Sequence, residues 1–160
     1  MGKEVAAPPL AFVSFRPKDR GFLASISLEG LVSREADVEI VLSKAGDVYA
    51  RQIDAMRSTL ADISELRTSN RLIPARSVWR LGDAIFSLKD QLAALSLEVD
   101  GLYLHLMRDL GVDRKWLEKV VTLRRYLPEE ALIPESLNWG RCEKGTRRIA
   151  EKLRTGVPLD

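Results

Sequence analysis

From Leu10 the pattern of apolar and polar side chains is typical of strands, and a helical pattern replaces it near residue 35. In "FLASISLEGLV", apolar side chains recur at every second position, as in a strand with one buried face. The turn-rich "RPKDRG" separates this segment from the strand-like "LAFVSF". The pattern predicts an N-terminal β-hairpin, preceded by an arm over residues 1–9 in which Pro8 and Pro9 lack backbone donors.

Two long amphipathic helices are predicted next. No proline interrupts residues 35–66, where one apolar stripe recurs at intervals of three and four: Ile53, Met56, Leu60 and Ile63. A loop with Pro74 follows, and Ser77 is placed to cap a second helix. The second stripe consists of Val78, Leu81, Ile85, Leu88, Leu92 and Leu95. The stripes favour an antiparallel helical pair, and a partner chain could use either of them.

A glycine corner is predicted after the break at "EVDG", in "LMRDLGVDRKWLEKVVTLRRYLP" over residues 106–128. Leu106 and Leu110 lie on one face of a first helix, and Gly111 can adopt the positive φ needed to leave it. Leu117 and Val120 face back from a second helix, which Pro128 ends. A helical turn at residues 137–139 and a last helix around 146–153 follow.

The segment "LMRDLGVDRKWLEKVV" resembles the helix-turn-helix of bacterial DNA-binding proteins, at the glycine and at the five hydrophobic positions of that motif. The resemblance covers about twenty of the 160 residues. Met107 stands where the family usually has a small residue, and Asp113 replaces the common serine or threonine, although aspartate also caps helices well. The resemblance implies a helix that enters the major groove of DNA.

A more distant similarity extends from "WRLGDAIFSL" through "RRYLPEE" to "RRIAEKL". These segments resemble the helical N-terminal domain that precedes PD-(D/E)XK nuclease domains in a poorly characterised bacterial family. The chain has no nuclease motif, so this similarity implies contact with DNA and not cleavage.

The second helix of the corner predicts the residues that contact DNA. Near its start and along its polar side lie Arg114, Lys115, Lys119 and Thr122, which we expect at base edges or nearby phosphates. Glu118 would repel the backbone or accept from a cytosine amino group. A further set is suited to phosphates: Arg108, Arg124, Arg125, Arg147 and Arg148. The alternative is that these residues are ordinary solvated charges of a helical bundle.

The net charge of +2 predicts no nucleic-acid partner by itself, but its distribution is uneven. Residues 104–154 have twelve Lys and Arg against eight Asp and Glu, whereas residues 1–103 have thirteen against fourteen. Positive charge is densest in "RKWLEKVVTLRR", with five basic residues and one acidic residue. This distribution supports the DNA-contacting interpretation.

No catalytic residue, cofactor or metal is predicted. The chain has one histidine, His105, and one cysteine, Cys142, which are too few for the usual Cys and His ligand sets of zinc. A nucleophilic dyad of these two residues would require that the fold happen to bring them together. The stretch "GRCEKGT" has glycines spaced as in a phosphate loop, but its lysine precedes the second glycine and no strand leads into it. The absence of a long apolar run or a secretory signal predicts a cytoplasmic protein without a membrane span.

Together these patterns predict a mainly α protein with an N-terminal hairpin region (1–35), a long helical hairpin (36–100) and a helix-turn-helix region (101–160). The expected function is DNA binding, as a bacterial regulator or as an accessory factor of a mobile element or defence system. The expected partners are double-stranded DNA and a second copy of the chain. The alternative is a helical scaffold or adaptor that binds a protein partner and has no direct role on DNA.

Overall fold

The computed structural model describes residues 15–17 and 35–159 of the chain, and these residues are mainly helical, as predicted. The N-terminal arm and most of the predicted hairpin lie outside the described residues. In chain order the elements are β1 (Phe15–Pro17), α1 (Glu35–Thr68), α2 (Ala75–Ala93), β2 (Leu97–Val99), α3 (Leu102–Leu110), α4 (Arg114–Tyr126), a 3-10 turn (Glu130–Leu132), α5 (Trp139–Glu143) and α6 (Thr146–Thr155).

Helix α1 confirms the long helix that was predicted from residue 35 to 66, and it ends in a left-handed turn. Asn70 adopts a φ of 61°, a conformation that asparagine tolerates better than most residues. The N–H of Arg71 donates to the carbonyl of Leu66 at 2.8 Å, and the N–H of Asn70 donates to that of Arg67 at 3.1 Å. This is the Schellman pattern, which satisfies the last carbonyls of a helix.

Helix α2 begins at Ala75, so the prediction that Ser77 caps it is wrong. Ser77 lies in the first turn, and its N–H donates to the carbonyl of Pro74 at 3.1 Å. A backbone segment distant in the sequence provides a hydrogen-bond acceptor for the first N–H of the helix instead, because the N–H of Ala75 donates to the carbonyl of Leu137 at 2.9 Å. The N–H of Trp139 donates in turn to the carbonyl of Ile73 at 2.7 Å.

A two-stranded antiparallel sheet joins β1 to β2, and the sequence pattern did not predict β2. Phe15 pairs with Val99, Arg16 with Glu98 and Pro17 with Leu97. Leu97 and Val99 are buried, whereas Glu98 between them is half-buried, so β2 follows the two-residue period of a strand. Strand β1 therefore pairs with a segment about eighty residues away in the sequence.

The described residues form two compact units. The first unit contains the described residues up to Asp54 together with Phe86–Gly111, and the second contains Ala55–Ile85 together with residues 112–159. The core of the first unit includes Ala45, Tyr49, Ile53, Leu88, Leu92, Leu97 and Leu106. The core of the second unit includes Met56, Ile63, Val78, Trp79, Leu81, Leu117, Val120, Leu123, Trp139 and Ile149. Helices α1 and α2 contribute a segment to each unit.

The two apolar stripes are largely buried within the single chain. Ile53, Met56 and Ile63 are at most 2% exposed, as are Val78, Leu81, Ile85, Leu88 and Leu92. Leu60 and Leu95 are half-buried. A second copy of the chain would therefore have to bind a different surface. Among the described helices, none is long and apolar enough to cross a membrane.

Candidate nucleic-acid interface

The corner between α3 and α4 contains the local contacts that the sequence predicted. Gly111 adopts φ 68° and ψ 39°, and its N–H donates to the carbonyl of Met107 at 2.9 Å. Asp113 caps α4, because its Oδ1 accepts the N–H of Trp116 at 2.8 Å. The first helix thus ends at Leu110 and a separate helix begins at Arg114. The helix-turn-helix arrangement itself remains a prediction.

Replacing Gly111 by alanine should lower the free energy of unfolding by about 1–2 kcal/mol, because a left-handed φ brings Cβ close to the backbone carbonyl. An added Cβ at Gly111 would meet no other atom within 4 Å, so this cost is conformational and not a packing clash. Gly111→Asn should cost less, because asparagine tolerates this conformation. Urea unfolding of both variants measures the difference, and equal losses would contradict the conformational explanation.

Helix α4 has one buried face and one solvent-facing face, as its sequence pattern predicted. The buried residues are Leu117, Val120, Val121 and Leu123. Arg114, Lys115, Glu118 and Arg125 are exposed, and Lys119 and Thr122 are half-buried beside them. The exposed face is therefore positively charged with one acidic residue within it.

Several polar residues of this face have partners within the chain. The guanidinium Nε of Arg114 lies 3.4 Å from Oε2 of Glu118, and both side chains are 56% exposed. The hydroxyl of Thr122 donates to the carbonyl of Glu118 at 2.8 Å. Nζ of Lys119 lies 4.0 Å from Oε2 of Glu143, at the limit of an ion pair. Exposed pairs of this kind contribute little stability, so phosphates can compete for these cations.

Arg124, by contrast, holds α4 in the second unit. Its Nε donates to Oδ1 of Asp83 at 2.9 Å, its guanidinium lies 5.4 Å from the ring centre of Trp79, and its side chain is 20% exposed. The indole N–H of Trp79 donates to the carbonyl of Leu127 at 2.7 Å, just past the end of α4. Arg124 thus joins two helices through an ion pair and a cation–π contact. We therefore leave it out of the proposed interface.

Arg108 is also held within the chain, in the first unit. Its Nε and Nη2 donate to the two carboxylate oxygens of Asp109 at 2.8 and 3.1 Å. The hydrogen bonds to Asp109 raise the pKa of the Arg108 guanidinium above its usual value. The carboxylate of Asp109 is fully buried, so moving Arg108 to a phosphate would leave a buried charge with fewer partners. We leave Arg108 out as well.

Helix α6 packs on α4 in the second unit and brings two of the predicted phosphate contacts beside it. The guanidinium of Arg147 lies 5.3 Å from the ring centre of Tyr126, the last residue of α4. Its Nε donates to Oε1 of Glu151 at 3.0 Å, and this hydrogen bond raises the pKa of Arg147 above its usual value. Arg147 and Arg148 are both exposed. The structure therefore places α4 and α6 cations in one unit.

Further basic residues of the second unit were not predicted as contacts. Arg141, Lys144 and Arg154 are exposed and Lys152 is half-buried, all within or beside α5 and α6. Residues 55–85 and 112–160, the segments of this unit, have sixteen Lys and Arg against eleven Asp and Glu, a net charge of +5. The remaining residues have nine against twelve, a net charge of −3. The density of basic residues from 141 to 154 was the signal that could have identified this set.

Cys142 and His105, the two reactive side chains considered in the sequence, belong to different units. Cys142 is fully buried, and burial raises the pKa of its thiol to about 11, so it stays protonated near neutral pH. His105 is half-buried and belongs to the other unit. Among the described residues, no three His, Cys, Asp or Glu side chains are grouped as metal ligands.

Comparison with protein families, with characterised proteins and with solved structures finds no match to this chain. An interpretation of its function therefore rests on the positions and chemistry of its own residues.

Proposed function

We propose that the chain is a double-stranded DNA-binding protein that contacts phosphates and base edges with the exposed face of α4 and with the neighbouring cations of α6. The principal support is the concentration of positive charge in the second unit, where exposed basic residues of two packed helices flank Tyr126. Lysine and arginine attract the phosphate backbone at any sequence, and a few base contacts add specificity. A bacterial regulator or an accessory factor of a mobile element or defence system would use such a surface.

Lys115 and Arg125 provide the sharpest test, because both are exposed on α4. In fluorescence anisotropy with a labelled duplex of mixed sequence, we expect the affinity to fall steeply as salt increases. The variant Lys115→Ala/Arg125→Ala should bind at least about tenfold more weakly, and the slope of log K against log salt should decrease in magnitude by about 2.

The matched control is Lys44→Ala/Arg51→Ala, which removes the same charge from exposed positions of α1 in the first unit. Its affinity for the duplex should equal that of the unmodified protein. Absence of salt-dependent binding, or an equal loss in the two double variants, would refute the proposal. The second result would show that overall charge, and not the α4 face, determines binding.

A helical scaffold that binds a protein partner is the second candidate, and one feature of the first unit favours it. Ile40 and Leu42 of α1 are 53% and 40% exposed, and Leu104 of α3 is 65% exposed. Large exposed apolar side chains are common at protein interfaces. A chain that binds no DNA at low salt but whose mass in solution increases with a protein partner would support this candidate.

A further inference from the structure

We infer that a cavity between α5 and α6 is a binding site for a phosphomonoester, a small organic molecule that carries a terminal phosphate. The cavity has a volume of about 540 Å³ and is lined by Gly140, Arg141, Lys144, Arg148, Ile149 and Leu159. This volume lies within the range of pockets that hold small molecules in proteins. The site lies outside the exposed face of α4 but shares Arg148 with the proposed interface, so its test uses a variant of α4 to separate the two proposals.

Three cations surround the cavity from three successive parts of the chain. Arg141 lies in α5, Lys144 follows that helix, and Arg148 lies in the first turn of α6. None of the six described residues that line the cavity is acidic. Positively charged side chains that line one cavity attract an anion to it. A phosphomonoester has a charge near −2 at neutral pH, and the planar guanidinium groups of two arginines can donate pairs of hydrogen bonds to its oxygens.

The guanidinium of Arg148 lies close to the backbone at Gly145, just before α6. A Cβ added at Gly145 would lie 3.1 Å from Nη2 of Arg148 and 3.4 Å from its Nε. These distances are shorter than ordinary contacts, so only glycine leaves the guanidinium in its present position without a shift. Asn138 caps the start of α5, because its Oδ1 accepts the N–H of Arg141 at 2.9 Å.

The size of the cavity indicates that the ligand has an organic part. Ile149 and Leu159 add apolar side chains to the lining, and Leu159 is half-buried. An inorganic phosphate ion would contact the cations but leave most of the cavity unfilled. A sugar or nucleoside attached to the phosphate would occupy that space beside Leu159.

The test is isothermal titration calorimetry of the full chain with three probes: inorganic phosphate, ribose 5-phosphate and adenosine 5′-monophosphate. We expect saturable binding with one site, tighter for the organic phosphates than for the inorganic ion. Lys144→Ala/Arg148→Ala should weaken binding at least about tenfold. Lys44→Ala/Arg51→Ala, with the same change in charge, should bind as the unmodified protein does.

Gly145→Ala tests the positioning of Arg148 without removing a charge, and it should weaken organic phosphate binding several-fold. Circular dichroism confirms that each variant is folded. The inference is overturned if no probe binds saturably in the millimolar range, or if binding survives in Lys144→Ala/Arg148→Ala. It is also overturned if this variant loses affinity for duplex DNA alone, because the cavity would then belong to a DNA surface. Loss of DNA binding in the α4 variant with intact phosphomonoester binding separates the two proposals.

Discussion

Replacing Gly82 by alanine is expected to lower the free energy of unfolding of this protein by about 1–3 kcal/mol. Gly82 lies in α2 where α4 crosses closely, and both segments belong to the second unit. A Cβ added at this position would lie 2.8 Å from Cβ of Arg124 and 2.9 Å from the carbonyl oxygen of Val120. Neither atom is the end of a flexible side chain, so α4 itself must move to accept the methyl group.

The same substitution elsewhere in a helix should have the opposite effect. Gly46 lies in α1, and a Cβ added there would meet no atom within 4 Å. Gly46→Ala should therefore increase stability by about 0.5–1 kcal/mol, because alanine has the higher helix propensity and restricts the unfolded chain. Urea unfolding of the two variants measures both changes. A stabilising Gly82→Ala would show that the α2–α4 contact is looser than the structure indicates.

Gly82→Ala also has a consequence for the candidate interface. A displaced α4 would stretch the ion pair of Arg124 with Asp83 and the contact of Arg124 with Trp79, which position α4 in this unit. The exposed cations of α4 would then change position relative to Arg147, whose guanidinium lies on the ring of Tyr126. Such a variant measures how much a rigid surface matters for binding, provided that it is assayed at a temperature where it is fully folded.

The elements that could be predicted from sequence are those that local chemistry determines. The apolar spacing of α1 and α2 predicted both helices, and Gly111 and Asp113 predicted where α3 ends and α4 begins. The predicted last helix around residues 146–153 corresponds to α6, which Gly156 ends with a φ of 76°. In each case the determining contacts lie within about one helical turn, so the sequence pattern contains them.

The features that could not be predicted depend on residues far apart in the chain. The start of α2 is satisfied by the carbonyl of Leu137 and not by Ser77, and β2 exists because it pairs with β1. Arg124 is separated by 41 residues from Asp83, its partner. The pattern of charges in the sequence cannot distinguish an arginine that is available to bind phosphate from one that already binds a carboxylate within the fold. The sequence therefore could not show that two of the predicted contacts, Arg108 and Arg124, already bind carboxylates within the chain.

The buried carboxylate of Asp109 is the second position at which a large effect is expected. It lies in the first unit and accepts hydrogen bonds from two described side chains: the hydroxyl of Tyr49 donates at 2.6 Å, and Arg108 donates through Nε and Nη2. Tyr49 is 1% exposed, so its hydroxyl has no ready access to water. The network joins α1 to α3 across 60 residues of sequence.

Asp109→Asn should lower the free energy of unfolding by about 2–3 kcal/mol, because the amide keeps the shape of the carboxylate but removes its charge and presents a donor to the donors of Arg108. The side chain of Arg108 is 31% exposed and can reach water, which keeps the loss below that of a fully buried broken pair.

Tyr49→Phe should cost only about 1 kcal/mol, since the carboxylate retains both bonds from Arg108. Asp47→Asn, an exposed position of α1, makes the same chemical change and should shift stability by less than about 0.5 kcal/mol. Thermal and urea unfolding compare the three variants, and equal effects of Asp109→Asn and Asp47→Asn would mean that the buried network contributes no net stability.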